Sequence, residues 1–338
     1  MKKTLITLSL ALALAACNNE APAPTPAAEP AASATPAATP AAPVDMWTRY
    51  DEIAAGAQRS DANKARDQYR HPKETLQFFG LANGQNVVEI SPGGGWYTEL
   101  LAPMLKGNGT LTLGIFDPAK IADEGTKGYN QKNNDKLKAK LGGDAANFGE
   151  VRFIETSPSE PCFGAPGSAD LVVTFRNVHN WTMDGNDAAM FKAFFDVLKP
   201  GGTLGVEEHR ANPGTDAKTS ADTGYLTEEY VIGLATAAGF ELVEKSEINA
   251  NPKDTKDHEK GVWTLPPTLA LGDKDKDKYL AIGESDRMTL KFRKPGDDAA
   301  AAPAATDGGA ANSDTPKGFE AGKQAEGETP AAVETPAG

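Results

Sequence analysis

The sequence predicts an α/β domain in which helices cover both faces of a largely parallel sheet. Three observations carry that expectation. Apolar strand-like runs alternate with helical stretches through the middle of the chain. The first run leads through three glycines into a helix, as "NVVEISPGGGWYTELLAP", and the last, "RMTLKFRK", alternates in a way that breaks the earlier rhythm.

The elements follow in chain order. Residues 1–16 open with Lys2 and Lys3, continue as an apolar run from Leu5 and end in small residues before Cys17. That is the pattern of an export signal, and the run is too short to remain as a spanning helix. The quartet Leu14-Ala15-Ala16-Cys17 resembles a bacterial lipobox, so Cys17 is the expected lipidated first residue of an exported, periplasmic protein. Asn18 follows it rather than Asp, which by the enterobacterial rule points to the outer membrane. Residues 18–43 are almost entirely Ala, Pro, Thr and Glu and read as an extended spacer. Residues 295–338 repeat that composition and read as a disordered tail. Residues 44–294 remain, about 250 residues, ample for one α/β domain.

Within that domain, strands are expected at residues 86–90, 110–116, 151–155, 170–175 and 203–207. Helices are expected between them at 96–105, near 130–141 and at 187–198, the last stopped by the "KPGG" turn. "TEEYVIGLATAAGF" is a helix with a Thr227 cap and a Gly239 stop, and "ELVEKSEI" is a sixth strand. The seventh is half-buried, with Met288, Leu290 and Phe292 facing in. An insert at 249–286 leaves the carboxyl end of strand six; its "DKDKDK" run reads as a solvated face. Its His258, Trp263 and Pro266-Pro267 belong either to a lid over the site or to a packing loop.

The net charge of −13 argues against nucleic acid as a partner and against an electrostatic grip on anionic lipid, so the lipid is the expected anchor. With Cys17 lipidated, Cys162 has no intramolecular disulfide partner. The glycine turn fails two phosphate motifs by position. No lysine stands where a P-loop requires one, and the dinucleotide fingerprint that would start at Gly93 and Gly95 finds Thr98 at its last glycine.

What does fit is Glu89-Ile90-Ser91-Pro92-Gly93-Gly94-Gly95, which resembles the acid-x-Gly-x-Gly-x-Gly turn of class I S-adenosylmethionine-dependent methyltransferases, with Ser91 in place of the first glycine. "SADLVVTFRNVHNW" and "FFDVLKPGGTLGVEEHR" resemble that family's fourth strand and its helix–turn–fifth strand. "EISPGGGWYTE", "FRNVHNW" and "GESDRMTLKF" together look like a group of exported predicted methyltransferases. The resemblance covers residues 72–294 and implies a Rossmann-like, doubly wound, seven-stranded sheet, six strands parallel and the seventh antiparallel. It implies S-adenosylmethionine as cofactor. Gly93, Gly94 and Gly95 would let the backbone approach the methionyl part, and the helix start at Trp96 would offer N–H groups to its carboxylate. Glu89 would lie near its amino group, Asp117 would accept the ribose hydroxyls, and Ser91 and Asn177 would complete the site. The acid that the family often places after strand three has only Glu155 as a counterpart.

Ligands of open α/β sheets sit beyond the carboxyl ends of the strands. There, strand four ends in Arg176-Asn177-Val178-His179 and strand five in Glu207-Glu208-His209-Arg210, so two histidines, two arginines and two carboxylates are expected to converge. Methyl transfer is an in-line displacement that needs alignment above all, and a base only where the nucleophile must lose a proton. His179 is expected near the acceptor, Glu207 or Glu208 to orient His209, and Arg176 to take part; Arg70 or His71 is a further contributor. A metal bound by His179, His209 and Glu208 is a rival use of the same groups, without a ligand-spacing motif to support it. The sequence therefore leaves two functions open: a methyltransferase for a small molecule or envelope component, or a non-catalytic binding module of the same fold.

Overall fold

The computed structural model describes residues 45–296. The export signal, Cys17, the spacer and all but the first residues of the tail lie outside the described residues. Seven strands form one sheet in the order β3-β2-β1-β4-β5-β7-β6. They are β1 Asn86–Ile90, β2 Thr110–Phe116, β3 Val151–Thr156, β4 Ala169–Phe175, β5 Leu198–His209, β6 Glu241–Ser246 and β7 Arg287–Arg293. β1, β2, β3, β4 and β5 pair in parallel, whereas β7 runs antiparallel to both β5 and β6. This is the six-parallel, one-antiparallel sheet that the resemblance implies.

Strand periodicity sorts the core into two layers. Val88, Ile90, Val172, Leu204 and Val206 face the helices Asp187–Val197 and Glu228–Ala237. Val87, Leu111, Leu113, Leu171 and Val173 face the helices Pro72–Phe79 and Thr98–Leu105. Packing is tight enough that a Cβ on Gly205 would meet the Phe79 ring at 2.5 Å. The reversal of strand order beside β1 leaves a crevice at the carboxyl ends of β1 and β4, where such sheets bind ligands.

Several boundaries differ from expectation. The helix after the glycine turn begins at Thr98, not Trp96, because Gly95 N donates to Pro92 O and closes a turn first. The polar helix extends over Glu124–Gly143, and β5 over Leu198–His209. β7 is not half-buried: Arg287, Met288, Thr289 and Leu290 are all buried, since β7 is an inner strand covered on both faces. A short helix, Val178–Asp184, follows β4 directly. The insert is docked rather than open. Val262, Thr264 and Leu265 are buried, and the carboxylate of Asp254 accepts from Tyr225 Oη at 3.0 Å, Asp286 N at 2.8 Å and Lys256 N at 2.9 Å, with His258 Nε2 2.8 Å away. Cys162 is exposed and free, and no helix among the described residues is long and apolar enough to cross a membrane.

Candidate active site

The glycine turn is built from left-handed backbone. Ser91, Gly93 and Gly95 have φ of 50°, 56° and 80°. Ser91 thus takes the conformation for which the resemblance expects glycine, at a strain of roughly 1 kcal/mol. A Cβ on Gly93 or Gly94 would meet nothing within 4 Å, whereas one on Gly95 would meet Leu137 Cδ1 at 2.7 Å. The first two glycines therefore face open space, and the third lets the helix Glu124–Gly143 pack against the turn.

A cavity of about 480 Å³ opens beside this turn. Of the expected cofactor residues, Ser91, Gly93 and Asn177 line it; Gly94, Gly95, Trp96, Glu89 and Asp117 lie outside its lining. Tyr129, Asn130, Asn133 and Asn134 close one side, and Asn180, Trp181 and Asp184 another. Asn177 Nδ2 donates to Ile90 O, Ser91 O and Thr174 Oγ1, which ties the turn to the end of β4. Asp117 stands just past β2, its Oδ1 accepting from Ala119 N at 2.9 Å. Glu155 is turned to Lys138 at 2.5 Å, outside the lining. The Trp96 indole is also directed elsewhere: it lies under Arg70 and Arg59, and its Nε1 donates to Asn63 O. A larger cavity, about 600 Å³, at the amino ends of β1, β2 and β3 holds none of the expected site residues.

Glu89 is fully enclosed at the end of β1 and accepts from Thr98 Oγ1 at 2.6 Å. Burial raises its carboxyl to about 7, against the opposing effects of the Thr98 hydroxyl and Arg176.

The ends of β4 and β5 do converge, with one exchange of partners. Glu208 orients His179, not His209: Oε1 lies 2.9 Å from His179 Nδ1, and Oε2 accepts from His179 N. His209 instead places Nδ1 2.5 Å from Ser285 Oγ. The two imidazoles stand 5.4 Å apart between centroids, and Trp263 of the insert lies 6.1 Å from His179. His209 is pushed well below the ordinary histidine range by burial and then by His179, Arg176, Arg287 and Arg70, so it is neutral near pH 7.

The expected second arginine is absent from this group. Arg210 binds Glu228, Glu247 and Asp286, tying β5 to the insert. Its place is taken by residues the sequence did not single out, and by Arg70. Arg176 Nη1 donates to Glu207 Oε2 at 2.6 Å, and Arg287 Nε lies 3.1 Å from Glu207 Oε1. Arg287, Arg70 and Arg66 converge on Glu284. Burial alone would raise the Glu284 carboxyl, yet Arg70, Arg287 and Arg66 hold it down to about 2. His71, beside Arg70, has a left-handed φ of 40° and a buried Nδ1 without a partner among the described residues.

His179, Glu208 and His209 bring ligand atoms within 4.8 Å of one another. As a cation site the group is handicapped. Glu208 already serves His179 and His209 N, and the arginines that depress His209 would repel a metal ion as well.

The model for prokaryotic membrane lipoprotein lipid attachment sites matches residues 1–18. A sequence comparison with curated proteins finds no match. Among solved structures, the chain is similar to a SAM dependent methyltransferase from Aquifex aeolicus, at 13% identity over 68% of this chain and 93% of that one, with a TM-score of 0.45. It is similar to a SAM-dependent methyltransferase from Methanosarcina mazei, at 13% identity over 66% and 97%, TM-score 0.44. It is also similar to the cyclase SpnF, at 17% identity over 72% and 85%, TM-score 0.49. At these levels the likenesses concern architecture, which the strand order defines independently.

Proposed function

We propose that the domain binds S-adenosylmethionine in the cavity beside the glycine turn and transfers its methyl group to a small molecule or envelope component held beside His179 and His209. The observation that carries this reading is the coincidence of three features at one place. The sheet reverses its strand order at β1, a left-handed glycine turn follows β1, and the cavity there falls within the roughly 300–1,000 Å³ of small-molecule sites.

The residues present fit such a cofactor. Gly93 offers open backbone, Asp117 Oδ2 has no partner among the described residues and suits ribose hydroxyls, and the buried Glu89 would gain a counter-charge from an ammonium group. Asp184, the acidic side chain of the cavity lining, and the asparagine amides provide acceptors and donors for an adenine edge. When bound, the cofactor supplies an electrophilic methyl group. This chain's own contribution is alignment and proton handling. Glu208 fixes His179 in the tautomer with Nδ1 protonated, which leaves Nε2 as the base. Trp263 of the insert stands edge-on to that imidazole, and His179 is only 3% exposed.

Calorimetric titration of the mature protein with S-adenosylmethionine and S-adenosylhomocysteine tests the reading. Binding that is lost in Asp117→Ala supports it, and no heat at millimolar ligand sinks it. The lipid attachment site favours a second reading, because a cofactor made in the cytosol would have to reach the domain of an exported lipoprotein. In that case the same cavity serves a non-catalytic module, and a tight ligand from the envelope would bind where the adenosyl compounds do not.

A further inference from the structure

A cluster of buried and half-buried charges near the ends of β4 and β5 is not required by methyl transfer itself. Arg66, Arg70, Arg176 and Arg287 share two carboxylates, Glu207 and Glu284. The cluster holds an excess of two positive charges, and counting Glu208 against it still leaves one. Uncompensated charge that is largely withdrawn from water is costly, so such a cluster favours a bound counter-ion.

The donors left over are specific. The hydrogen bonds of Arg66 and Arg70 use only Nε, and that of Arg176 uses only Nη1. Among the described residues, both terminal nitrogens of Arg66 and Arg70 and two nitrogens of Arg176 therefore have no acceptor. The Arg70 side chain is only 5% exposed, while Arg66 at 22% and Arg176 at 16% open the cluster to solvent. Burial and the repulsion of Arg176 lower Arg70 to about 9, as expected for guanidinium groups that crowd one another. Guanidinium forks match the paired oxygens of a carboxylate or phosphate.

Position separates this cluster from the cofactor cavity. Arg176 follows β4, Glu207 lies on β5 and Arg287 opens β7, whereas Arg66 and Arg70 bracket the helix Asp67–Arg70, and no arginine lines the cavity. Glu207, which pairs with Arg176, and His209 stand two residues apart on β5 and so share one face of the strand, which sets an anion held by the cluster on the His209 side.

We propose that Arg66, Arg70 and Arg176 bind an oxyanion, a carboxylate or a phosphate, carried by the methyl acceptor; this rests on the methyl-transfer reading of the neighbouring site. The acceptor is then anionic at one end and presents its nucleophile to His179 or His209.

The mature protein is titrated with inorganic phosphate and with malonate, each with and without saturating S-adenosylhomocysteine. At least one anion binds in both conditions, more weakly as salt rises, and the preferred anion tells phosphate from carboxylate. Arg66→Gln, at the most exposed arginine, weakens the anion about tenfold or more and leaves S-adenosylhomocysteine affinity within about twofold. Arg66→Lys falls between the two, and an unchanged near-ultraviolet spectrum shows that both variants are folded. The proposal is overturned if neither anion binds at millimolar concentration, or if Arg66→Gln binds as the wild type does. It is equally overturned if S-adenosylhomocysteine displaces the anion and loses affinity in Arg66→Gln, since the arginines would then hold the cofactor's own carboxylate. Anion binding without any S-adenosylhomocysteine binding overturns methyl transfer and leaves the oxyanion site in place.

Discussion

Glu207 and Glu208 are consecutive on β5 and serve opposite faces of the sheet: Glu207 lies 2.6 Å from Arg176, and Glu208 lies 2.9 Å from the imidazole of His179. The two-residue period of a strand forces this division. One carboxylate balances the arginine cluster and the other holds the His179 imidazole, so the pair divides charge balance from histidine orientation.

The two glutamines are expected to behave differently. Glu207→Gln leaves Arg176 and Arg287 short of a buried counter-charge and costs about 3–5 kcal/mol, read by urea denaturation. Glu208→Gln still accepts one hydrogen bond and keeps most of the stability, but His179 loses its charged orienting partner. Methyl transfer then falls about 10- to 100-fold in kcat with little change in cofactor affinity. Equal effects of the two variants on stability and on kcat would contradict the division.

The sheet was readable in the sequence because its strands are apolar runs bounded by turn residues, and β1 and β2 lie where those runs do. The site was readable only where chemistry sits at strand ends, as for His179, Glu208, His209 and Arg176. Pairing between side chains was not: which glutamate meets which histidine depends on the pleat and on the helix Val178–Asp184. Arg66, Arg287 and Glu284 were invisible as a site because they meet through the antiparallel return of β7, far apart in sequence. One signal was available and unused. Asn130, Asn133 and Asn134 recur at helical spacing, which places polar amides on one face toward the cavity.

The three left-handed residues of the turn should respond differently to substitution. Gly93→Ala meets no neighbour and costs only its φ, about 1 kcal/mol. Gly95→Ala adds a clash with Leu137 and costs about 2–4 kcal/mol. Ser91→Gly relieves a strained φ while adding unfolded-state freedom, so its net effect stays within about 0.5 kcal/mol. Thermal unfolding of the three variants gives the ranking, and a Gly95→Ala protein as stable as Gly93→Ala would show that the helix can yield.

Asp254 fastens the insert through Tyr225, His258 and two backbone N–H groups. Asp254→Asn replaces one of its acceptor oxygens by a donor and should cost about 2–3 kcal/mol. The loss should be local, because the bonds hold the insert rather than the sheet. Limited proteolysis is expected to cut within residues 249–286 faster in the variant, with the rest of the domain intact. Uniform cleavage throughout would show that the insert is part of the core unit.

In the proposed site, Glu89 is expected to make both stability and ligand affinity depend on pH. Its carboxyl is raised to about 7 in the fold, whereas an unfolded chain ionises it in the usual acidic range. Between those values the folded state holds a proton that the unfolded state has lost, so stability falls as pH rises through this window and levels off above about 7. The contribution is on the order of 3 kcal/mol. Glu89→Gln can still accept from Thr98 and has no such dependence, so it should melt higher than the wild type at pH 8 and close to it at pH 4. Ligand binding carries the opposite sign. An ammonium group beside Glu89 favours the ionised carboxylate, so binding expels the proton and affinity for S-adenosylhomocysteine rises with pH up to about 7. Calorimetry in buffers of different ionisation enthalpy at pH 6 reads that proton directly. Release of close to one proton in the wild type and none in Glu89→Gln is the expected result, and equal release in both would remove Glu89 from the cofactor site.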